Sequence, residues 1–175
     1  KADITALRAL HSAPRSAVKA RAAAQVQIGQ QLMTSPVRLR EKYRNLTSAR
    51  LVQALGSCRP GNHADLEERL VLTALKSLAQ RHHALTKEIA KLDAELTSLI
   101  EQTAPHLLHL HGVGNYTAAQ MLITSGGNPD RLRTEASFAA LCGTAPVPAS
   151  SGKTTRHRLS RGGDRRANHA LHTIA

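Results

Sequence analysis

Nine residues set the strongest constraint on this chain. Val71, Leu75, Leu78, His82, Leu85, Ile89, Leu92, Leu96 and Leu99 recur in alternating steps of four and three. Heptad spacing of this kind keeps a single stripe on one face of a helix. It predicts one continuous helix from about Ala64 to Thr103, about 60 Å long at the α-helical rise. A lone helix of that length leaves its stripe in water, so it needs a partner, either the Ile4–Leu32 helix of the same chain or a second copy.

The segments before the seam are also helical. Ile4, Leu7 and Leu10 share a face, and Val18, Gln25, Ile28 and Leu32 continue it. Pro14 either kinks this helix or restarts it. Thr34-Ser35-Pro36 reads as a break, with Ser35 capping a second helix that runs from Pro36 to about Leu55 on an apolar side of Leu39, Tyr43 and Leu46. Gly56 to Asn62 is a turn cluster. After Thr103-Ala104-Pro105 the composition shifts toward glycine, short helices and loops. The expected fold is mainly α: a helical linker or coiled coil over 1–103, then a small helical domain over 104–175.

Charge narrows the choice of partner. Lys and Arg number 24 against 12 Asp and Glu, a formal charge of +12, while aromatics are only 2% of the 175 residues. A large β core and a small apolar ligand are both disfavoured, and nucleic acid is the expected partner. Cys58 and Cys142 supply neither a disulfide framework nor a CxxC pair, so a reducing, cytoplasmic setting is expected. Nothing reads as a signal peptide or as a membrane span, and no membrane partner is expected.

Two motifs bear on chemistry. In Leu110 to Leu122, Gly112 and Gly114 flank Val113 ahead of a small-residue helix, the pattern of a helix-hairpin-helix whose backbone N–H groups hold a phosphate. The same residues also fit an ordinary helix–turn–helix packing unit. In Leu141 to Arg166, Gly143, Pro146 and Pro148 lead to Ser150-Ser151-Gly152, followed by Lys153, Arg156, His157, Arg158, Arg161, Arg165 and Arg166. A serine hydroxyl amid guanidinium groups suits a phosphodiester nucleophile. A solvated basic loop that grips phosphates is the alternative, and spacing alone favours it. His157 suits phosphate binding or proton transfer, and Asp164 is expected to pair with an arginine rather than with magnesium. His82, His83, His106, His109, His111, His169 and His172 lack partners at metal-ligand spacing, so no metal site is assigned. No acidic cluster suited to a two-metal nuclease, no P-loop and no Rossmann fingerprint is present.

The run from Pro129 to Arg165, and above all the block Ala136–Arg166, resembles the C-terminal domain of the insertion-sequence one-ten family of transposases. His111-Gly-Val-Gly-Asn-Tyr-Thr-Ala-Ala resembles the opening helix-hairpin-helix of that domain, and the stretch from Ala6 to Leu32 resembles the start of the family's helical linker. The resemblance implies a bacterial DNA recombinase guided by a structured RNA. It implies a serine nucleophile at Ser151, with Ser150 as fallback. It also implies homodimers through the coiled coil, and an N-terminal RuvC-like domain whose four acidic residues hold magnesium. That four-acid domain is not in this sequence, and Asp3 is not one of its members. The end at Ala175 looks early, His111 stands where Pro is common, and Pro14 is unusual. The expectation is therefore a fragment, or a decayed or split copy, that holds no cofactor itself, binds nucleic acid and does not recombine DNA alone. A non-catalytic helix-hairpin-helix module on a coiled coil is the second reading, and a scaffold with incidental charge the third.

Overall fold

Long runs of Ala, Leu, Gln, Lys and Arg make helix the least costly local state over much of this chain. A computed structural model describes residues 4–62, 65–126, 130, 132–150 and 152–175. Among them the helices are α1 (Ile4–Thr34), α2 (Val37–Tyr43), α3 (Ser48–Ser57), α4 (Leu66–Thr103), α5 (Pro105–Leu108), α6 (Asn115–Ser125), α7 (Glu135–Leu141) and α8 (Arg165–Ile174). A 3₁₀ turn spans Pro60–Asn62, and two short strands, β1 (Val147–Pro148) and β2 (His157–Arg158), pair antiparallel. The mainly α expectation holds, and the long seam helix is α4. No helix of the described residues is long and apolar enough to cross a membrane.

The chain divides into two compact units, Ala13–Leu92 and a second made of Lys1–Ser12 with Asp93–Ala175. In the first, Ile28 of α1, Leu39 and Tyr43 of α2, Leu51, Val52 and Leu55 of α3, and Leu72, Leu75 and Ala79 of α4 form one buried cluster. This part of the α4 stripe is thus covered by helices of the same chain. The Lys76 ammonium donates to the Cys58 carbonyl at 2.8 Å, tying the end of α3 to α4. In the second unit, Leu7 of α1, Leu96 and Ile100 of α4, and Ala118 and Ala119 of α6 are buried together. The small residues on α6 let it approach α4 closely. The Tyr116 hydroxyl donates to the Asp93 carboxylate at 2.8 Å, and the Asn115 amide donates to the Thr97 hydroxyl.

Three local expectations change. Ser35 caps no helix: its hydroxyl donates back to the Gln31 carbonyl at 2.6 Å, and Pro36 occupies the N-cap position of α2 without a side-chain bond. The helix expected from Pro36 to Leu55 is two helices, interrupted between Tyr43 and Ser48, where Asn45 and Thr47 favour turn over helix interior. The helix α1 runs through Pro14 without a break. Pro14 lacks the N–H that would reach the Leu10 carbonyl, yet its ring is fully buried and so adds apolar contact. The boundary between the two units falls just ahead of it, between Ser12 and Ala13.

Leu55 and Leu75 have no exposed surface. Truncating either to alanine removes buried methyl groups and leaves a cavity in a small cluster, so Leu75→Ala and Leu55→Ala should each cost about 2–5 kcal/mol. Denaturant unfolding followed by circular dichroism measures that loss.

Candidate nucleic-acid interface

The site begins at the start of α8, which packs against α6. Asp164 is the N-cap of α8, and its Oδ1 accepts from the backbone N–H of Arg166 at 2.8 Å and of Ala167 at 3.3 Å. Its Oδ2 accepts from the Thr124 hydroxyl at 2.7 Å and the Gln120 amide at 3.3 Å, both on α6. Burial opposes its charge. The bonds from Thr124, Arg166 and Ala167, with the Arg166 guanidinium, outweigh that and hold the carboxyl below the usual range. The arginine pairing expected for Asp164 is therefore chiefly a helix cap, made with backbone N–H groups.

Ahead of Asp164, Gly162 and Gly163 lie directly on Gly143. At Gly143, with φ +68°, a Cβ would sit 2.4 Å from the Gly162 carbonyl, and at Gly163, with φ +88°, one would sit 2.6 Å from the Gly143 nitrogen. Neither position admits a side chain. The Asp164 N–H donates to the Leu141 carbonyl at 2.8 Å, and the Asn168 amide donates to the Gly143 carbonyl at 3.3 Å. Both ends of the basic segment, Gly143 and Gly163, are thus clamped to α7 and α8.

Between those ends the expected loop is a β-hairpin. Val147 pairs with Arg158 and Pro148 with His157. The Ala149 N–H donates to the Arg156 carbonyl at 2.9 Å. The Ser150 hydroxyl accepts from the Arg156 N–H at 3.2 Å and donates to the Arg156 carbonyl at 3.4 Å. Ser150, the fallback nucleophile, is therefore tied into the ladder. Ser151 lies outside the described residues. Lys153, Arg156, His157, Arg158, Arg161, Arg165 and Arg166 are all exposed. Arg158 and Arg161 line one cleft, and Arg161 and Arg165 line another that reaches Cys142 and Asn168. Consecutive cations therefore share walls from the hairpin to α8. Cys142 is buried, and burial and then the negative charge of Asp164 push its thiol up.

The Gly112–Gly114 turn is placed elsewhere. Helix α5 is a single turn of four residues, and Gly112, with φ +76°, would put a Cβ 3.0 Å from the Ile174 carbonyl at the far end of α8 from Arg165. Gly114 caps α6 in extended conformation, and its carbonyl accepts from the Thr117 hydroxyl at 2.8 Å. The packing role of Gly112 is thus explained by α8 alone. Sequence reasoning missed the Gln120–Thr124 pair that receives Asp164. It also missed the contact of Gly143 with Gly163, for which the paired glycines before an aspartate were the available signal.

Among the described residues, the hairpin and the start of α8 thus carry a row of exposed cations whose root is fixed by Gly143, Gly163 and Asp164. Residues 104–175, which contain this whole arrangement, match the model of the transposase IS116/IS110/IS902 family. No curated protein matches the chain, and no solved structure does.

Because the folded Asp164 carboxyl is depressed, its contribution to stability is present above the unfolded carboxylate value of about 3.9. That contribution is lost as pH falls through the folded value. Asp164→Asn keeps capping ability but not charge. It should flatten the acid side of the stability–pH curve below about pH 4, as measured by urea unfolding of both proteins at several pH values. Gly143→Ala should destabilise more severely than Asp164→Asn, since backbone must move.

Proposed function

We propose that this chain is the DNA-binding, serine-bearing part of a transposase that moves an insertion sequence by cutting and rejoining DNA strands. The observation that carries the reading is the row Arg158–Arg161–Arg165, sharing cleft walls beside the hairpin, within the segment similar to a transposase family whose sequence carries Ser150-Ser151-Gly152 just ahead of those cations. Lys153, Arg156, His157 and Arg158 on the hairpin, with Arg161, Arg165 and Arg166, grip successive phosphates and position the duplex. Gly112 and Gly114 add a backbone contact at the opposite end of α8. Ser151 is the nucleophile. Its hydroxyl oxygen bonds to phosphorus, one deoxyribose oxygen departs from that phosphorus, and the hydroxyl proton passes to water or His157. The guanidinium groups stabilise the charge that builds on the phosphate oxygens.

Such recombinases use magnesium, and the residues present do not fit it: among the described residues no group of three His, Cys, Asp or Glu side chains is placed to hold a metal ion. No step is therefore assigned to a metal within this chain, and strand cleavage depends on an acidic domain supplied with it. A structured guide RNA and a second copy of the chain are the further partners of this reading.

The non-catalytic alternative is favoured by the engagement of the Ser150 hydroxyl with Arg156. Two measurements separate the readings. Binding of a 20-base-pair duplex should weaken steeply with salt, with a slope reporting several neutralised phosphates, and Arg158→Gln with Arg161→Gln should lower that slope by about 2. Supplied with a magnesium-binding RuvC-like domain, the chain should form a covalent DNA adduct that Ser151→Ala abolishes while leaving duplex binding within about twofold. An adduct that survives Ser151→Ala but not Ser150→Ala moves the nucleophile, and no adduct with any variant leaves a binding module.

A further inference from the structure

Within the unit of Lys1–Ser12 and Asp93–Ala175, a further cleft opens where the first turns of α1, helix α6 and the start of α8 meet. Arg8, His11, Gln120, Asp164, Arg165 and Arg166 are on its walls. Three arginines and one aspartate line it. That carboxylate is already committed, since both oxygens of Asp164 accept from Arg166 N–H, Ala167 N–H, Thr124 and Gln120. The same bonds occupy the Arg166 and Ala167 N–H groups in the first turn of α8. What the cleft offers a ligand is therefore guanidinium, in a planar fork that matches two phosphate oxygens.

The walls are held in place. Arg8 and Arg165 are exposed, but Arg8 follows Leu7, which has no exposed surface and is buried against Leu96 and Ile100. His11 is 9% exposed, with its ring centroid 5.6 Å from that of Tyr116. Tyr116 is fixed in turn by its bond to Asp93 at 2.8 Å. Burial, the bond to Asp93 and the charge of Asp93 push the Tyr116 phenol up to about 12, so it stays a neutral donor.

Arg165 also lines the cleft of Arg161, which adjoins that of Arg158. We propose that Arg8, with Arg165 and Arg166, forms a further seat for a backbone phosphate of the DNA bound along the hairpin. The phosphate track then continues from the hairpin across the start of α8 onto the first helix of the chain. This inference rests on the DNA-binding reading above and adds a residue, Arg8, far away in sequence from the basic segment.

The test is fluorescence anisotropy of a labelled 20-base-pair duplex across a salt series, with the whole chain. Arg8→Gln should bind about fivefold more weakly at low salt, with the slope of log Kd against log salt reduced by about 1. Arg8→Lys should keep most of the slope, and Arg81→Gln, an exposed change on α4 outside this unit, should match wild type. Inorganic phosphate at equal ionic strength should not displace the duplex beyond the effect of chloride, since one seat is a small part of the track. If Arg8→Gln lowers the melting temperature, Arg8→Met, which keeps the aliphatic stem and removes only the charge, gives the same readout. Duplex binding by wild type that neither variant changes overturns the seat and leaves the proposed function standing. Failure of the wild type to bind duplex overturns both.

Discussion

One carboxylate organises the C-terminal part of this protein. Asp164 joins the first turn of α8 to the middle of α6, and the glycine contact beside it leaves no freedom at the root of the hairpin. A group that accepts from four donors at once is satisfied as an anion, which a neutral residue at that place could not be. The consequence is mechanical. A cationic hairpin of two-residue strands has little apolar surface with which to hold itself, so its direction is set by its attachment.

The attachment also explains why the cations stay free. Arg156 and Arg158 belong to a two-residue ladder and its turn, where backbone bonds rather than side chains do the ordering. The side chains are left exposed to solvent. A formal charge of +12 on 175 residues repels itself, and under the proposed function the phosphates of DNA compensate it.

The parts of the fold written in periodicity were legible before the structure. The α4 seam repeats for nine positions without interruption, and Leu75, Ile89 and Leu96 are buried as its phase requires. The break between α2 and α3 was hidden because Leu46, inside it, keeps helical spacing with Leu39 and Tyr43 of α2. Ser35 misled because a serine before a proline fits a cap, while its hydroxyl found the nearer Gln31 carbonyl. The site was half legible. Its cations and glycines are visible as composition, but strands of two residues are too short to leave a pattern. Gln120 and Thr124 meet Asp164 across some forty residues of chain, and Arg8 joins a cleft formed by residues far downstream. Long-range convergence of that kind has no signature in a single sequence.

The proposed function puts DNA along the hairpin and the start of α8. Backbone amide NMR of the ¹⁵N-labelled chain titrated with a short duplex tests it residue by residue. Shifts and broadening should concentrate between Arg156 and Arg166 and reappear near Arg8, while α2 and α3 stay unchanged. Perturbation centred instead on the arginines of α2 and α3, with the hairpin silent, would contradict it.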